Sequence, residues 1–284
     1  MTTALVTDST ASLPPDTVKE LGVEVVPLQV VVDDSSYDEG TAEATPDRIA
    51  AALREKRAVS TSRPAPLVFS ELYQRLADEG ATEILSVHLS SRVSGTFESA
   101  HLAARTAPVP VTCVDTRQVG VATGYAVESA AAVLAAGGSR LDAAEAARTR
   151  AVSASSLFYV DTLEYLRRGG RVSGIGALFG GALAVKPLLT IVDGVIKPLE
   201  KVRTSTKAIA RLEELAVERA GDQQVDLAVA HLASGERAEE LCARIGEQLA
   251  DQLGGREVRC TELGAVLGAH VGPGMLAICV APRA

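Results

Sequence analysis

The chain has 284 residues, which suggests about two domains and a large core, and its formal net charge is −8. That charge argues against non-specific nucleic-acid binding or an anionic membrane surface, both of which need basic surface. Hydrophobic residues make up 47% of the sequence and aromatic ones only 3%, so the core must be aliphatic.

Residues 4–7 predict a short apolar strand ending in Asp8-Ser9-Thr10. Ser12, Pro14 and Pro15 mark a helix start and Gly22 its stop. Residues 23–32 are β-branched and nearly continuous and predict a second strand, interrupted by Pro27. An acidic, turn-rich stretch over 33–41 precedes Thr45-Pro46-Asp47, which opens a helix with proline at its tolerated first position. Val59-Ser60-Thr61-Ser62-Arg63-Pro64 reads as a polar loop closed by prolines. A helix over about 66–79 ends at Gly80. Residues 84–89 predict a buried strand that runs into Ser90-Ser91-Arg92 and Ser94-Gly95-Thr96, followed by a helix over 97–105. Val111–Asp115 predicts a strand and residues 120–136 a long helix.

The second half differs. After a helix over 141–150 and a strand over 157–160, glycines crowd in at Gly169, Gly170, Gly174, Gly176, Gly180 and Gly181. Residues 185–192 and 195–202 flank Asp193-Gly194, a strong hairpin signal. A helix over Ser205–Ala220, a strand over 225–232, a helix over 236–253 and strands over 256–262 and 276–280 complete the chain. Strand–helix alternation predicts a parallel α/β/α sheet domain over 1–152, and the hairpin predicts a second α/β domain with a mixed or antiparallel sheet over 153–284.

The stretch with the most chemistry is Ser86–Thr96, written out as SVHLSSRVSGT, where hydroxyls and fresh backbone N–H groups gather at a strand-to-helix junction. Such a junction favours an anion; equally, Ser94 could simply cap its helix. Three strands end in Asp plus a hydroxyl residue: Asp8-Ser9, Asp115-Thr116 and Asp161-Thr162. These are three N-caps, or three polar strand ends along one crevice, and both can hold together.

Other chemistries lack their motifs. Gly174-x-Gly176 is followed by Gly180, one residue too late for a dinucleotide loop, and no GxxxxGK[ST], HExxH or GxSxG occurs. Cys113, Cys242, Cys260 and Cys279 are far apart, with no zinc-ligand spacing, and predict buried free thiols in a reducing cytosol. The N-terminus lacks a signal-peptide pattern and no apolar run reaches about 18 residues, so the expectation is a cytoplasmic protein without stable membrane insertion. His88 in a strand and His101 in a helix read as structural; His231 is isolated. His270 lies in Gly268-Ala269-His270-Val271-Gly272-Pro273-Gly274, which reads as a loop presenting its backbone.

Taken in order, several motifs resemble those of the DegV family, bacterial fatty-acid-binding proteins that include the B subunits of fatty acid kinase. They are Thr7-Asp8-Ser9-Thr10, Ser60-Thr61-Ser62-Arg63-Pro64, Leu89-Ser90-Ser91 with Ser94-Gly95-Thr96, Leu166-Arg167-Arg168-Gly169-Gly170-Arg171, Lys186-Pro187-Leu188-Leu189, Arg203-Thr204 and the His270 segment. The match spans about 3–282. The resemblance implies two α/β domains, a long-chain fatty acid such as palmitate in a buried tunnel, and a carboxylate held by Thr61 and Ser94. It places Gly95, Thr96, Arg203 and His270 near the head group or the kinase contact. It implies no catalysis, no metal and no cofactor beyond the bound acid, with a separate kinase subunit as partner. Arg167, Arg168, Arg171 and Arg203 could form a basic patch for that partner. The rival readings are a phosphotransferase related to the dihydroxyacetone kinases, or a hydrolase using Ser94. The missing phosphate loop and nucleophile elbow count against both.

Overall fold

The computed structural model describes residues 2–171 and 185–283; Gly174, Gly176, Gly180 and Gly181, weighed above as a nucleotide loop, lie outside the described residues. The strands are β1 (Thr3–Asp8), β2 (Val23–Val26), β3 (Gln29–Val32), β4 (Ser35–Asp38), β5 (Val59–Ser62), β6 (Glu83–His88), β7 (Val111–Asp115), β8 (Ser155–Tyr159), β9 (Lys186–Val192), β10 (Val195–Val202), β11 (Val225–His231), β12 (Arg259–Glu262) and β13 (Leu276–Pro282). The helices are α1 (Pro15–Leu21), α2 (Pro46–Arg54), α3 (Pro66–Asp78), α4 (Thr96–Ala104), α5 (Val121–Ala135), α6 (Arg140–Ser153), α7 (Glu164–Arg168), α8 (Ser205–Ala220), α9 (Gly235–Gln248), α10 (Ala250–Leu253) and α11 (Ala265–Val271). They form two compact units, Met1–Gln29 with Ser62–Ser153 and Val30–Thr61 with Ala154–Ala284.

The first unit is built on a parallel sheet in the order β2-β1-β6-β7. Alternate residues of a strand face opposite sides, and β1 divides its side chains accordingly. Leu5 joins Leu85, Val87 and Val114 under the alanine-rich α5 and α6. Val6 joins Ile84, Phe69, Tyr73, Ala100 and Ala103 under α3 and α4. Alanine on the facing surfaces of α5 and α6 lets these helices approach closely. On the other face Phe69 also meets the buried His88 edge to face, with centroids 5.2 Å apart.

The second unit carries a mixed sheet in the order β10-β9-β8-β13-β11-β12, with only β11 and β12 parallel. Leu157, Leu188, Val229 and Ile278 pack there against Leu212 and Ala216 of α8 and Leu241 and Ile245 of α9. The expected hairpin is present: Val192 pairs with Val195, and Asp193 and Gly194 have φ of 50° and 78°. Both central residues thus turn left-handed, as a two-residue turn matched to strand twist requires. A three-stranded sheet, β4-β3-β5, also belongs to this unit. No described helix is long and apolar enough to cross a membrane.

Several elements differ from the sequence reading. Pro27 does not interrupt one strand; it separates β2 of the parallel sheet from β3 of the three-stranded sheet. Residues 59–62 form strand β5 rather than a loop, paired with β3 in the three-stranded sheet and alternating half-buried and exposed positions. Residues 265–271 form α11, so His270 is helical. The helix expected over 236–253 breaks at Leu249. At α4 the N-cap is Gly95, not Ser94.

A buried polar chain joins β1, β6 and α3. Asp8 Oδ1 accepts from the Thr10 amide (3.1 Å) and hydroxyl (2.5 Å), and Oδ2 from the Leu89 amide (3.1 Å). His88 Nδ1 lies 2.9 Å from Oδ2, Ser86 Oγ 2.7 Å from His88 Nε2, and Tyr73 donates to Ser86 Oγ at 2.9 Å. A neutral His88 protonated on Nδ1 uses every proton: Tyr73 to Ser86, Ser86 to His88, His88 to Asp8. Truncating Asp8 strands four buried donors, so Asp8→Ala should cost roughly 3–5 kcal/mol. Tyr73→Phe leaves the Ser86–His88 bond in place and should cost about 1 kcal/mol. Urea titration of both variants checks the ranking.

Candidate functional site

In the first unit the candidate residues sit on the loop that leaves β6. That loop is fastened at its base by neighbouring strand ends. The Leu89 amide is held by Asp8, the Ser90 amide donates to the Gln118 carbonyl (2.8 Å), and Ser91 donates to Asp115 through its amide (3.2 Å) and hydroxyl (2.5 Å). Thr116 Oγ1 adds a bond to the His88 carbonyl at 2.9 Å. Of the three Asp-hydroxyl strand ends, Asp8 caps the short 3-10 turn Ser9–Ala11 while Asp115 ties down the loop. Asp161 follows β8 of the other sheet, where it binds Lys186 at 3.0 Å. The three therefore do not share a sheet edge.

The loop delivers Ser94, Gly95 and Thr96 to the start of α4. Ser94 Oγ lies 2.9 Å from the buried Thr96 Oγ1, and no described side chain caps the helix. The first turn of such a helix is electropositive, and Glu98 is the acidic residue within it. Arg63 adds a cation here, donating from Nη1 to the Gly95 carbonyl at 3.2 Å. A Cβ on residue 95 would collide with that guanidinium, so glycine is what lets Arg63 approach.

In the second unit, β5 and α11 bring Thr61 and His270 together. Glu39 Oε1 accepts from the Val266 amide (2.7 Å), which fixes the N-terminus of α11, and α11 packs on α2. Thr61 Oγ1 lies 2.8 Å from His270 Nε2. His270 Nδ1 is buried and has no hydrogen-bond partner among the described residues. Gly169 lies directly against it, since a Cβ there would run into Nδ1. Arg171 donates to the Gly169 carbonyl.

A cavity of about 100 Å³ opens beside this pair, lined by Val59, Thr61, Tyr165, Arg168, Arg171 and His270 among others. Burial, and then the charge of Arg171, lower the His270 pKa from 6.5 to about 4. The ring is therefore neutral at pH 7. Arg171 is itself half-buried, which lowers its pKa as well. Arg168 is partnered by Glu164 at 2.5 Å. The cavity thus combines a hydroxyl, a neutral imidazole and a guanidinium, a set suited to a small anionic group. If Nε2–H donates to Thr61, the Thr61 hydroxyl is free to donate to that group.

Of the remaining candidates, Arg203 is exposed just beyond β10 and Arg167 is exposed on α7, whereas Arg168 and Arg171 line the cavity. His88 is indeed enclosed. Sequence reasoning missed that it completes an Asp–His–Ser order of hydrogen bonds; the only available signal was the i, i+2 spacing of Ser86 and His88 on one strand face. Ser86 is fully buried and its oxygen is covered by Tyr73, which denies a substrate access to it. Among the described residues no group of three His, Cys, Asp or Glu could hold a metal ion.

Residues 2–283 match the family described as uncharacterised proteins of the DegV family. A DegV domain-containing protein of Streptomyces coelicolor is 50% identical over 280 residues, covering 99% of this chain and 98% of that protein. Two solved structures superimpose over the full length of both chains. One is a DegV family protein of Thermus thermophilus described for its fatty acid binding, with a TM-score of 0.87 and 34% identity. The other is DegV of Bacillus subtilis, described as a fatty acid binding protein, with a TM-score of 0.89 and 33% identity.

The depressed His270 pKa has a defined sign in stability. Between pH 6.5 and about 4 the unfolded chain binds a proton at this residue that the native chain does not. The stabilisation is complete above pH 6.5 and is lost as pH falls toward 4, by about 3 kcal/mol in all. His270→Gln should remove that component. The wild-type urea midpoint should therefore fall more steeply on acidification than that of His270→Gln, and parallel profiles would contradict a neutral buried His270.

Proposed function

Because the chain belongs to the DegV family, we propose that it binds a long-chain fatty acid, such as palmitate, and acts as a carrier rather than a catalyst. The observation that carries this reading is the Thr61–His270 pair beside a small cavity with Arg171 in its wall. At about 30 Å³ per water, that cavity holds about three water molecules. Its size among the described residues matches a carboxylate head, and the acyl chain is proposed to follow a separate apolar path. Burying a C16 chain contributes on the order of 10 kcal/mol before ordering costs. The fatty-acid-binding descriptions of the Thermus and Bacillus proteins, each a third identical to this chain, support the same ligand class.

Thr61 and Ser94 are proposed as the donors to the carboxylate, with Gly95, Thr96 and His270 supporting the head group. A buried carboxylate is costly without such partners, and hydroxyls hold it without a fully paired cation. A neutral imidazole donating to Thr61 would orient the threonine hydroxyl toward the ligand. We further infer that the chain is a cytoplasmic protein of two α/β domains and that a separate fatty acid kinase subunit receives the carboxylate, with Arg203 at the contact. The resemblance in the motifs, from Thr7-Asp8-Ser9-Thr10 through the His270 segment, supports that step. Reversal of charge at Arg203 should slow acyl-phosphate formation by the coupled kinase while leaving fatty-acid affinity unchanged.

The head-group assignment is tested by calorimetry on two variants. A hydrogen bond to a charged group contributes about 1.5–3 kcal/mol, so Thr61→Val should weaken palmitate binding by roughly tenfold or more. Ser94→Ala should do the same with little change in melting temperature, because Gly95 rather than Ser94 occupies the cap. Hexadecanol, which lacks the charge, should discriminate weakly among the three proteins. Unchanged palmitate affinity in both variants would place the carboxylate elsewhere.

A further inference from the structure

The four cysteines are all free, and although they are far apart in sequence, two are not far apart in space. Cys242 lies on α9 and Cys260 on β12, and α9 packs on β12. β12 is an edge strand, where Cys260 stands opposite Val229 of β11. The Cys242 thiol belongs to the helix packed on that strand pair, and Cys260 and the Val229 backbone are near enough to shift its pKa. Cys260 is exposed and Cys242 half-buried. Cys113 belongs to the first unit and Cys279 is buried in β13, so these two serve as internal references.

We propose that Cys242 and Cys260 form an oxidisable dithiol, which a small-molecule disulfide converts to an intramolecular bridge tying α9 to the edge of the mixed sheet. Two exchange steps balance the reaction. The exposed Cys260 thiolate attacks one sulfur of the small disulfide, forming a mixed disulfide and expelling one thiolate. Cys242 then gives its proton to that expelled thiolate or to solvent. Its own thiolate attacks the Cys260 sulfur and expels the second small thiolate. The protein loses two protons and two electrons, and the small disulfide becomes two thiols.

The order of the steps follows from the two environments. Cys260 is exposed while Cys242 is half-buried, and burial, then the neighbouring Cys260, raises the Cys242 pKa, so Cys260 is the thiol that reacts first. Once Cys260 is capped it can no longer carry the charge that opposes ionisation of Cys242. The sulfurs must close to about 2.05 Å for the bridge to form. Of the two side chains, that on the short edge strand is the freer to rotate.

The test uses the intact chain, incubated at pH 8 with oxidised glutathione in large excess over reduced, then quenched with N-ethylmaleimide in denaturant and weighed by mass spectrometry. Two of the four thiols should be lost to alkylation, with no retained glutathione and with a peptide joining Cys242 to Cys260; dithiothreitol should restore all four. Cys242→Ser should instead retain one glutathione on Cys260, and Cys260→Ser should keep its remaining thiols alkylatable. Full alkylation of the oxidised wild type, a bridge involving Cys113 or Cys279, or a lasting glutathione adduct on wild-type Cys260 would each overturn the proposal.

Discussion

One buried carboxylate sets the geometry of the first unit. Asp8 sits at the end of β1 with no solvent exposure and accepts from Thr10 twice, from His88 and from the Leu89 amide. A charge so enclosed is tolerable only when its acceptor positions are filled. Filling them fixes where β6 ends and in which direction the chain departs. The loop carrying Ser94 begins at the very residue whose amide Asp8 holds. Asp115 and Thr116 on β7 then secure the following turns. Two of the three Asp-hydroxyl pairs, Asp8-Ser9 and Asp115-Thr116, thus serve to fasten the loop that carries Ser94 to the parallel sheet.

The second unit solves a different problem, that of presenting polar atoms in a small cavity without a formal charge on the imidazole. His270 is kept neutral by burial and by Arg171, and Gly169 is small enough to lie against its unpartnered nitrogen. The arginine makes the cavity favourable to an anion, while the neutral ring can act as donor or acceptor toward Thr61. A protonated ring would bind an anion more strongly in isolation, but beside a half-buried guanidinium it would suffer like-charge repulsion.

Much of this was legible in the sequence. Strand–helix alternation gave the parallel sheet, and Asp193-Gly194 gave the antiparallel half. Thr61, Ser94 and His270 stood out within recognisable motifs, and of these Thr61 and His270 meet. What escaped were features decided by distant contacts. Val59-Ser60-Thr61-Ser62 carries polar residues and neighbouring prolines, yet pairing in a three-stranded sheet makes it a strand. The glycine-rich run around His270 is helical at its start because Glu39, over 220 residues earlier, accepts from the Val266 amide and because α2 offers it a surface. Ser94 has the chemistry of an N-cap, but the backbone turns one residue later, at Gly95. Local preference is a weak guide where tertiary contacts decide.

The pairing of Thr61 with His270 spans 209 positions of the chain. Residues 30–61 belong to a unit whose remainder is translated only after residue 153. At cellular rates of about 5–20 residues per second, Thr61 leaves the ribosome roughly 10–40 s before its partner exists. Through that interval the segment has no mature unit to join, and its strands have edges to protect. Contacts of such long range are also the slowest to form once the chain is complete. The polar pair is therefore among the last parts of the molecule to be assembled, and a ligand that requires both side chains can select only chains that have finished folding.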